Sequence, residues 1–364
     1  MIRRREFLLG GAGLAVGALG AGCGVGPQSA PAPVAQTVVR PEIDGDLLIF
    51  NWTEYMNPKV IRRFAKTYGV EVTVSNFDSM PAMMAKLRSG NRYDLIFPTA
   101  DYVARLNRVN ALRRLDRGVL KNSGGIYGFF DDPWYDKGSA HTVPYGMYTT
   151  GIAWRVDKIG ELSESWNDLA LEAARGHTFL LDDFQEGIGQ ANLLNGFELN
   201  EWDAEPLETT KGTLEHQKEF LRGYSTNPAP NLVNGSAWVH HAWNGDVVNA
   251  RNQSKSPENI RYQTCSEGIP VGSDCMAIPA NARHPGTATL FIDFMLDPEI
   301  ASENVSWFGY PMPIKGTEAA FAKLASDDPA IQITTEQLAN GQQFRELPVD
   351  GKKAWDRVWT EVKA

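Results

Sequence analysis

The sequence predicts an α/β protein whose folded part is long enough for two domains, or lobes, with a ligand site at the carboxyl ends of the strands of the first. Apolar strands alternate with amphipathic helices over residues 47–97, and this βαβαβ order requires parallel strands with right-handed crossovers. The chain has 364 residues, of which 43% are hydrophobic, and this suffices for two globular domains. Aromatic and polar residues follow the strands, where open α/β sheets bind their ligands.

The first lobe is predicted from strand and helix signals that follow one another closely. Asn57 and Pro58 fit an N-cap and a first helical position, and Gly69 fits a left-handed C-cap. The predicted elements are strands at 47–50, 70–74 and 93–97 and helices at 58–69 and 79–90. The residues at the three strand ends are Trp52 and Tyr55, Asn76 and Asp78, and Thr99 and Asp101. We expect these side chains to surround one ligand site at the common edge of the sheet.

The rest of the chain predicts a second lobe, which is entered through strand-like segments within 143–153. Ser165 and Asp168 fit a variant of the capping box that opens a helix. The other predicted elements are strands at 178–181 and 239–243, an antiparallel pair at 260–265 and 274–278, and helices at 188–197, 207–223, 287–296 and 299–307. The last fifty residues are polar and predicted to be helical, with Trp355 and Trp359 spaced to dock on the body.

The N-terminus predicts export. Arg4 and Arg5 precede an apolar run that ends near Gly22, which resembles a twin-arginine signal and is too short to span a membrane. The residues before Cys23 resemble a lipoprotein processing site, although Gly stands where Leu is usual. We expect acylation of Cys23, with ordinary cleavage as the alternative. Residues 23–44 are rich in Pro, Ala, Gly and Gln and predict a disordered tether.

Composition argues against several classes of function. The formal net charge is −9, and no internal run of Lys and Arg suggests binding to nucleic acid. No Walker-type loop, Gly-x-Ser-x-Gly or His-Glu-x-x-His motif is present, and no cofactor is expected. His240 and His241 are adjacent on a predicted strand, so they point to opposite faces and do not form a metal site together.

Two internal cysteines predict a disulfide. Cys265 and Cys275 stand on the two arms of the predicted antiparallel pair, in a chain that carries an export signal. The bridge would close a short loop beside Asp274. Two buried free thiols are the alternative.

Eight short motifs follow one another along the chain. They are Asn51-Trp52-Thr53-Glu54-Tyr55, Tyr93-Asp94-Leu95-Ile96-x-Pro98, Val143-Pro144-Tyr145, Ser165-Trp166-x-Asp168-Leu169, Asp182-Asp183-x-x-Glu186, Trp243-Asn244-Gly245, Ala277-Ile278-Pro279-Ala280-Asn281-Ala282 and Gly309-Tyr310-Pro311-x-Pro313. Their identity and order resemble the spermidine/putrescine-binding proteins of bacterial ABC importers. The resemblance covers residues 46 to about 315. It implies the two-lobed fold of periplasmic binding proteins, with a central parallel or mixed sheet in each lobe and a ligand cleft between the lobes.

The resemblance also implies a set of ligand contacts. They are Trp52, Thr53, Tyr55, Thr99, Asp183, Glu186, Ser225, Trp243, Asp274 and Tyr310. Carboxylates suit the ammonium groups of a polyamine, and aromatic rings suit its methylenes. Asp182 is assigned to the start of the following helix, where an acid complements the dipole. For Asp274, pairing with Arg283 is the alternative, and Trp243 and Tyr310 could instead be packing residues.

Three positions depart from the family pattern. Gly272 stands where the family has a Trp, so one aromatic wall is missing. Asp101 stands where an aromatic residue is frequent, and it is either an additional cation ligand or the N-cap of a helix that begins at Tyr102. A family Gln contact aligns on Phe344, beside Gln342 and Gln343. These departures leave the preferred cation open.

The resemblance predicts a non-enzymatic, monomeric, exported protein that binds a polyamine and delivers it to an ABC permease in the cytoplasmic membrane. A lipid anchor would hold it in the periplasm or on the outer face of that membrane. A binding protein for another organic cation or solute, or an exported hydrolase acting on amines, are the alternatives. The predicted segments are the signal at 1–22, the tether at 23–44, lobe 1 at 45–147 plus 274–308, and lobe 2 at 148–273 plus 309–364.

Overall fold

The computed structural model describes residues 38–325 and 328–364. The predicted export signal, Cys23 and most of the predicted tether lie outside the described residues. The strands are β1 (Leu47–Trp52), β2 (Val72–Phe77), β3 (Leu95–Ile96), β4 (Thr142–Arg155), β5 (Thr178–Leu180), β6 (Leu221–Tyr224), β7 (Val239–Trp243), β8 (Ile260–Gln263) and β9 (Val271–Ala277). The α-helices are α1 (Pro58–Tyr68), α2 (Met80–Arg88), α3 (Ala100–Arg108), α4 (Val156–Ile159), α5 (Phe184–Leu194), α6 (Ala204–Lys218), α7 (Pro228–Val233), α8 (Asn244–Gln253), α9 (Pro285–Met295), α10 (Pro298–Phe308), α11 (Glu318–Leu324), α12 (Thr335–Asn340) and α13 (Val349–Lys363).

The strands follow the order β2-β1-β3-β9-β4-β7-β5-β6, and β8 is added beside β4. Strand β1 is parallel to β2 and β3, which confirms the predicted βαβαβ unit of lobe 1. In lobe 2, β5 is parallel to β6 and β7. In each lobe, the carboxyl ends of the parallel strands therefore face the same region.

Strand β4 connects the two sheets. Its residues 142–149 pair antiparallel with β9, whereas residues 150–155 pair with β7 and β8. One continuous strand thus passes from lobe 1 into lobe 2. The exact lobe boundaries stay a prediction. Just after the predicted boundary at 308/309, two residues assigned to lobe 2 hydrogen-bond to residues assigned to lobe 1. The Tyr127 backbone N–H donates to the Pro313 carbonyl, and the Lys315 backbone N–H donates to the Gly125 carbonyl.

Local capping signals form as the sequence predicts. The Asn57 side chain accepts a hydrogen bond from the Lys59 backbone N–H at 2.9 Å. Gly69 ends the same helix with φ of 68°, a left-handed value that a residue without Cβ adopts at little cost. Ser165 and Asp168 form the predicted capping box. These features depend on neighbours within a few residues, which is why the sequence alone locates them.

Two element predictions are wrong. Residues 260–265 and 274–278 do not pair with each other, because β8 and β9 each pair with β4 at different points along its length. The predicted helix at 207–223 is also too long. Helix α6 ends at Lys218, and the chain then forms β6, which pairs with β5.

The predicted disulfide is also wrong. Cys265 and Cys275 are both free and buried. Cys265 packs in the core of lobe 2 with Trp166, whereas Cys275 packs in a core of lobe 1 with Phe50 and Tyr135. Because β4 provides the pairing partner of both segments, the two cysteines enter different cores. Burial raises the pKa of both thiols, that of Cys275 to about 12.

The packed chain begins before residue 45. The Asp44 carboxylate accepts hydrogen bonds from the backbone N–H groups of Gly286 and Thr287, at 2.8 and 2.9 Å. These groups belong to the first turn of α9, where unpaired N–H groups favour an anion. The final residues of the predicted tether are therefore held against lobe 1.

The C-terminal helix docks on lobe 2. The Trp355 side chain of α13 is fully buried, and its indole N–H donates to the Glu201 carbonyl at 2.9 Å. This agrees with the predicted docking of the terminal helix. None of the helices within the described ranges has the length and apolar character needed to cross a membrane.

Candidate ligand-binding cleft

A cleft of about 550 Å³ lies where the strand ends of both lobes converge. Lobe 1 contributes the loop after β1 and the start of α3, and lobe 2 contributes the starts of α5 and α8. The cleft is lined by Trp52, Thr53, Glu54, Tyr55, Phe77, Asp78, Ser79, Met80, Pro81, Thr99, Asp101, Tyr102, Tyr148, Asp182, Asp183, Phe184, Gln185, Glu186, Thr226, Asn227, Pro228, Ala229, Pro230, Trp243, Asp246, Asn249, Gln253, Asp274, Tyr310, Phe344 and Trp359.

Asp274 of β9 is a buried carboxylate with one unused oxygen. Its Oδ2 accepts a hydrogen bond from the Tyr55 hydroxyl at 2.6 Å, and its Oδ1 has no partner. Burial raises the pKa of Asp274 to about 7, the Tyr55 hydrogen bond lowers it, and the charge of Asp101 raises it. Arg283 does not pair with Asp274; its backbone N–H donates to Asp94 instead.

Glu186 of α5 is held by two donors on one oxygen. Its Oε1 accepts from the Thr150 hydroxyl at 3.0 Å and from the Trp243 indole N–H at 2.7 Å. Its Oε2 has no hydrogen-bond partner and lies 4.0 Å from Nε2 of His241. Burial, followed by the nearby charge of Asp183, raises the pKa of Glu186 to about 8. Ionising Glu186 is therefore unfavourable until a positive charge comes close.

Asp183, and not Asp182, is the N-cap of α5. Oδ1 of Asp183 accepts from the backbone N–H groups of Gln185 and Glu186 at 2.8 and 3.1 Å. The assignment of the capping role to Asp182 is thus wrong, because Asp182 lies one residue too early and pairs with Lys363 of α13. Burial raises the pKa of Asp183, while the two backbone N–H groups lower it.

Asp101 lies in the first turn of α3 and lines the cleft. Thr99 occupies the N-cap position, so Asp101 is not the cap of a helix that begins at Tyr102. The Thr99 hydroxyl donates to Oδ1 of Asp101 at 2.6 Å, and Oδ2 accepts no hydrogen bond. The Arg105 guanidinium lies 3.9 Å from Oδ2. Burial raises the pKa of Asp101, and the Thr99 hydrogen bond and Arg105 lower it.

Asp246 is a further, half-buried carboxyl group at the start of α8. The Tyr310 hydroxyl donates to its Oδ1 at 3.1 Å, and burial raises the pKa of Asp246 to about 7. We did not predict this residue as part of the site. The sequence signal that could have identified Asp246 is its position three residues after Trp243. This position places it in the first turn of the helix that follows the strand ending at Trp243.

Aromatic rings form the walls between these carboxyl groups. Tyr55 and Tyr310 pack edge-to-face with 5.5 Å between ring centroids, and both hydroxyls point to carboxylates. Tyr148 and Trp243 form a second pair at 6.5 Å. The Trp52 indole N–H donates to the Phe97 carbonyl at 3.1 Å, which fixes that ring at the end of β1.

The resemblance implied ten contact residues, and Asp101 was an eleventh candidate. Ten of these eleven line the cleft, and Ser225 does not. Its hydroxyl accepts from the Asn227 backbone N–H at 3.1 Å and from the Asn231 amide at 2.9 Å, so it stabilises the turn before α7. Its neighbours Thr226 and Asn227 line the cleft in its place.

The departures from the family pattern have structural consequences. Phe344 lines the cleft, whereas Gln342 and Gln343 do not. Gln342 accepts from the Leu199 backbone N–H, and Gln343 accepts from the Trp134 indole. At Gly272, the ring of Tyr148 occupies the adjacent space on β4, which the sequence did not indicate.

Carboxyl groups outnumber cationic side chains in the cleft. They are the buried groups of Asp101, Glu186 and Asp274 and the half-buried groups of Asp183 and Asp246. Among the described residues, Arg105 is the only Lys or Arg within 4.0 Å of any of them. An ionised carboxylate that is buried without a partner is costly, and this explains the raised pKa values. The arrangement is suited to a ligand that supplies the missing positive charges.

A model of the bacterial extracellular solute-binding protein family matches residues 59–333. The spermidine/putrescine-binding periplasmic protein of Escherichia coli is 27% identical over 322 residues, which cover 87% of this chain and 91% of that protein. A putrescine/cadaverine-binding protein of Pseudomonas aeruginosa is 28% identical over 336 residues, covering 87% and 93%.

Solved structures share the fold. The spermidine/putrescine ABC transporter substrate-binding protein of Streptococcus pneumoniae superposes with a TM-score of 0.77 at 23% identity, covering 88% of this chain and 98% of that one. The TpPotD lipoprotein of Treponema pallidum gives a TM-score of 0.78 at 24% identity, covering 87% and 99%.

Proposed function

Because this chain belongs to the bacterial extracellular solute-binding proteins, we propose that it binds a polyamine in the cleft and delivers it to the permease of an ABC importer. The observation that carries the proposal is that the carboxyl groups of Glu186 and Asp274 are buried among aromatic rings without a Lys or Arg partner. The names of the relatives support the same ligand class.

The chemistry of the cleft matches a linear cation with amino groups at its ends. The unused Oδ1 of Asp274 and the carboxylate of Glu186 would accept from ammonium groups, and such charge-assisted bonds are about twice as strong as neutral ones. Trp243 and Tyr310 would cover the methylenes and add cation–π attraction. Asp246 would hold an ammonium group near Tyr310. Each carboxylate gains the positive partner that the protein does not provide.

The size of the ligand limits its affinity. Putrescine has few heavy atoms, and a ceiling of about −1.5 kcal/mol per atom permits roughly −9 kcal/mol. This corresponds to a Kd on the order of micromolar or somewhat below. A measured affinity in this range would mean that nearly every atom of the diamine is in productive contact, as expected for a buried site.

Closure of the two lobes would complete the site. Asp274 and Asp101 belong to lobe 1, whereas Glu186 and Trp243 belong to lobe 2. A cation bound between them would therefore interact favourably with side chains of both lobes. Hinge closure around a ligand is a common conformational change, and the closed form would present a surface that fits the permease. No bond is made or broken in this mechanism.

Isothermal titration calorimetry of the purified protein against putrescine, cadaverine, spermidine, spermine and agmatine tests the proposal. We expect saturable one-to-one binding of at least one of these cations, without turnover. Glu186→Gln should weaken that binding, because it removes a charge while keeping the shape. A wild-type protein that binds none of the five would refute the proposal, and release of a reaction product would favour an amine hydrolase.

We further propose that the protein is exported and acylated on Cys23, which would tether a monomer to the outer face of the cytoplasmic membrane. The support is the sequence of residues 1–23. Mass spectrometry of the N-terminal peptide from membranes tests this. An acylated Cys23 is expected, and a peptide cleaved elsewhere with an unmodified Cys23 would contradict it.

A further inference from the structure

Tyr148 is a cleft residue whose position depends on a glycine on the neighbouring strand. It lies on β4 directly opposite Gly272 of β9. A Cβ atom at Gly272 would lie 2.1 Å from Cζ of Tyr148 and 2.3 Å from its hydroxyl oxygen, far closer than atoms approach. The phenol ring therefore occupies space that any other residue at position 272 would fill.

The ring of Tyr148 lies between Gly272 and the ligand space. Tyr148 lines the cleft, whereas Gly272 does not and instead borders a separate cavity of about 10 Å³. On its other side, Tyr148 stands edge-on to Trp243, with 72° between the ring planes. The wall of the cleft beside Trp243 is thus formed by a ring from β4, the strand that joins the lobes.

The phenol lies among the carboxyl groups that would hold the cation. Burial raises the pKa of Tyr148 well above its usual range, and the charges of Asp274, Glu186, Asp101 and Asp183 raise it further. Its hydroxyl makes no hydrogen bond to any residue within 38–325 or 328–364. A ligand in the cleft would therefore meet both the ring and an unused hydroxyl group.

We propose that Tyr148 determines the size of the polyamine that the cleft accepts, because its ring fills the space that a longer cation would need. The inference rests on the polyamine function proposed above. A short diamine can pack its methylenes on the rings of Tyr148 and Trp243 and reach carboxylates from both lobes. A triamine has a further amine and methylene segment, and the ring stands where that segment could lie against Gly272.

The first test removes the ring. The Kd values of putrescine and spermidine are measured by calorimetry for the wild type, Tyr148→Gly and Tyr148→Phe. For Tyr148→Gly, we expect the ratio of the two Kd values to shift toward spermidine by about tenfold or more, since the diamine loses a ring contact and the triamine gains room. Tyr148→Phe is the matched control: it keeps the ring, so the ratio should stay within about twofold of the wild type while both affinities fall.

The second test displaces the ring without changing it. In Gly272→Ala, the added Cβ cannot coexist with the present position of Tyr148, so the ring must move. Because the ring lies between Gly272 and the ligand space, it must move toward the ligand, and we expect the Kd ratio to shift away from spermidine, opposite to the change in Tyr148→Gly. In the double variant, the Ala meets no ring and should have no further effect, so the two substitutions are not additive.

The outcomes separate this inference from the proposed function. If the wild type binds a polyamine but the Kd ratio is unchanged in both Tyr148→Gly and Gly272→Ala, the inference is wrong and the proposed function stands. If one of the two variants does not fold, the other decides in the same way. A wild type that binds no polyamine overturns both.

Discussion

Binding of a polyamine should release protons and should strengthen as the pH rises from 6 to 8. Burial raises the pKa of Glu186 to about 8 and that of Asp274 to about 7, so both groups are partly protonated in the free protein at neutral pH. A bound ammonium group favours the ionised forms. The ligand stays charged throughout, because alkylammonium groups titrate near a pKa of about 10.

The size of the effect follows from the ionised fractions. From those two pKa values, Glu186 is about 1% ionised at pH 6 and about 50% at pH 8, and Asp274 changes from about 10% to about 90%. If binding requires Glu186 alone to be ionised, the apparent affinity should rise about 50-fold over this range. If both groups must be ionised, the rise approaches about 500-fold.

The same shifts determine the pH dependence of stability. The folded-state pKa of each group is raised above its unfolded value, so the folded protein binds more protons. The stability associated with these groups is fully present below an unfolded-state pKa of about 4 and is lost as the pH rises through the folded-state values near 7 and 8. A bound cation restores it, so the ligand-induced rise in Tm should be larger at pH 8 than at pH 6.

Calorimetry in buffers of different ionisation enthalpy measures both the affinity and the protons released. At pH 7 we expect about one to one and a half protons per ligand from Glu186 and Asp274, and about two if Asp246, whose pKa is about 7, also pairs with the cation. Glu186→Gln should remove about one of these protons. Asp182→Asn is the matched control, because Asp182 is exposed at the rim and paired with Lys363. An affinity that is constant between pH 6 and 8, with no proton release, would show that these carboxyl groups do not pair with the ligand.

Three further outcomes are expected. Asp183→Asn should weaken polyamine binding more than about tenfold while leaving Tm nearly unchanged, since Asn is as good an N-cap as Asp; unchanged affinity would remove Asp183 from the site. Asp246→Asn should keep an acceptor for the Tyr310 hydroxyl but lose the charge, and calorimetry should show about tenfold weaker binding; equal affinity would restrict the cation to the other carboxylates. In a Cys23→Ser variant kept without reductant, a thiol reagent should label no cysteine in the folded protein and two after unfolding; no labelling after unfolding would indicate a disulfide.

The family resemblance and most of the residues that line the cleft could be predicted because the signals are local. Trp52 ends β1 and Tyr55 follows it by three residues, and Glu186 lies shortly after the end of β5. Parallel strands bring their carboxyl ends to one edge, so a residue just after a strand is placed there by topology alone. This is why ten of the eleven predicted contacts line the cleft.

The errors concern partners that are distant in sequence. The segments that hold Cys265 and Cys275 are close along the chain, yet β4 pairs with both and separates them into different cores. Tyr148 likewise lies far from Gly272 in sequence, and only the pairing of β4 with β9 brings its ring onto that glycine. Periodicity and capping motifs carry no information about such pairings.

The sequence by itself determined the α/β class, the helix caps and the kind of residue that ends each strand, because these depend on neighbouring residues and on strand direction. Only the tertiary structure decided which carboxyl groups are buried without a partner. Burial and charge compensation depend on atoms that come from both lobes, as the contacts of Glu186 with Thr150 and Trp243 show. The cost of an unpaired buried charge, which links this cleft to a cationic ligand, exists only once the chain has folded.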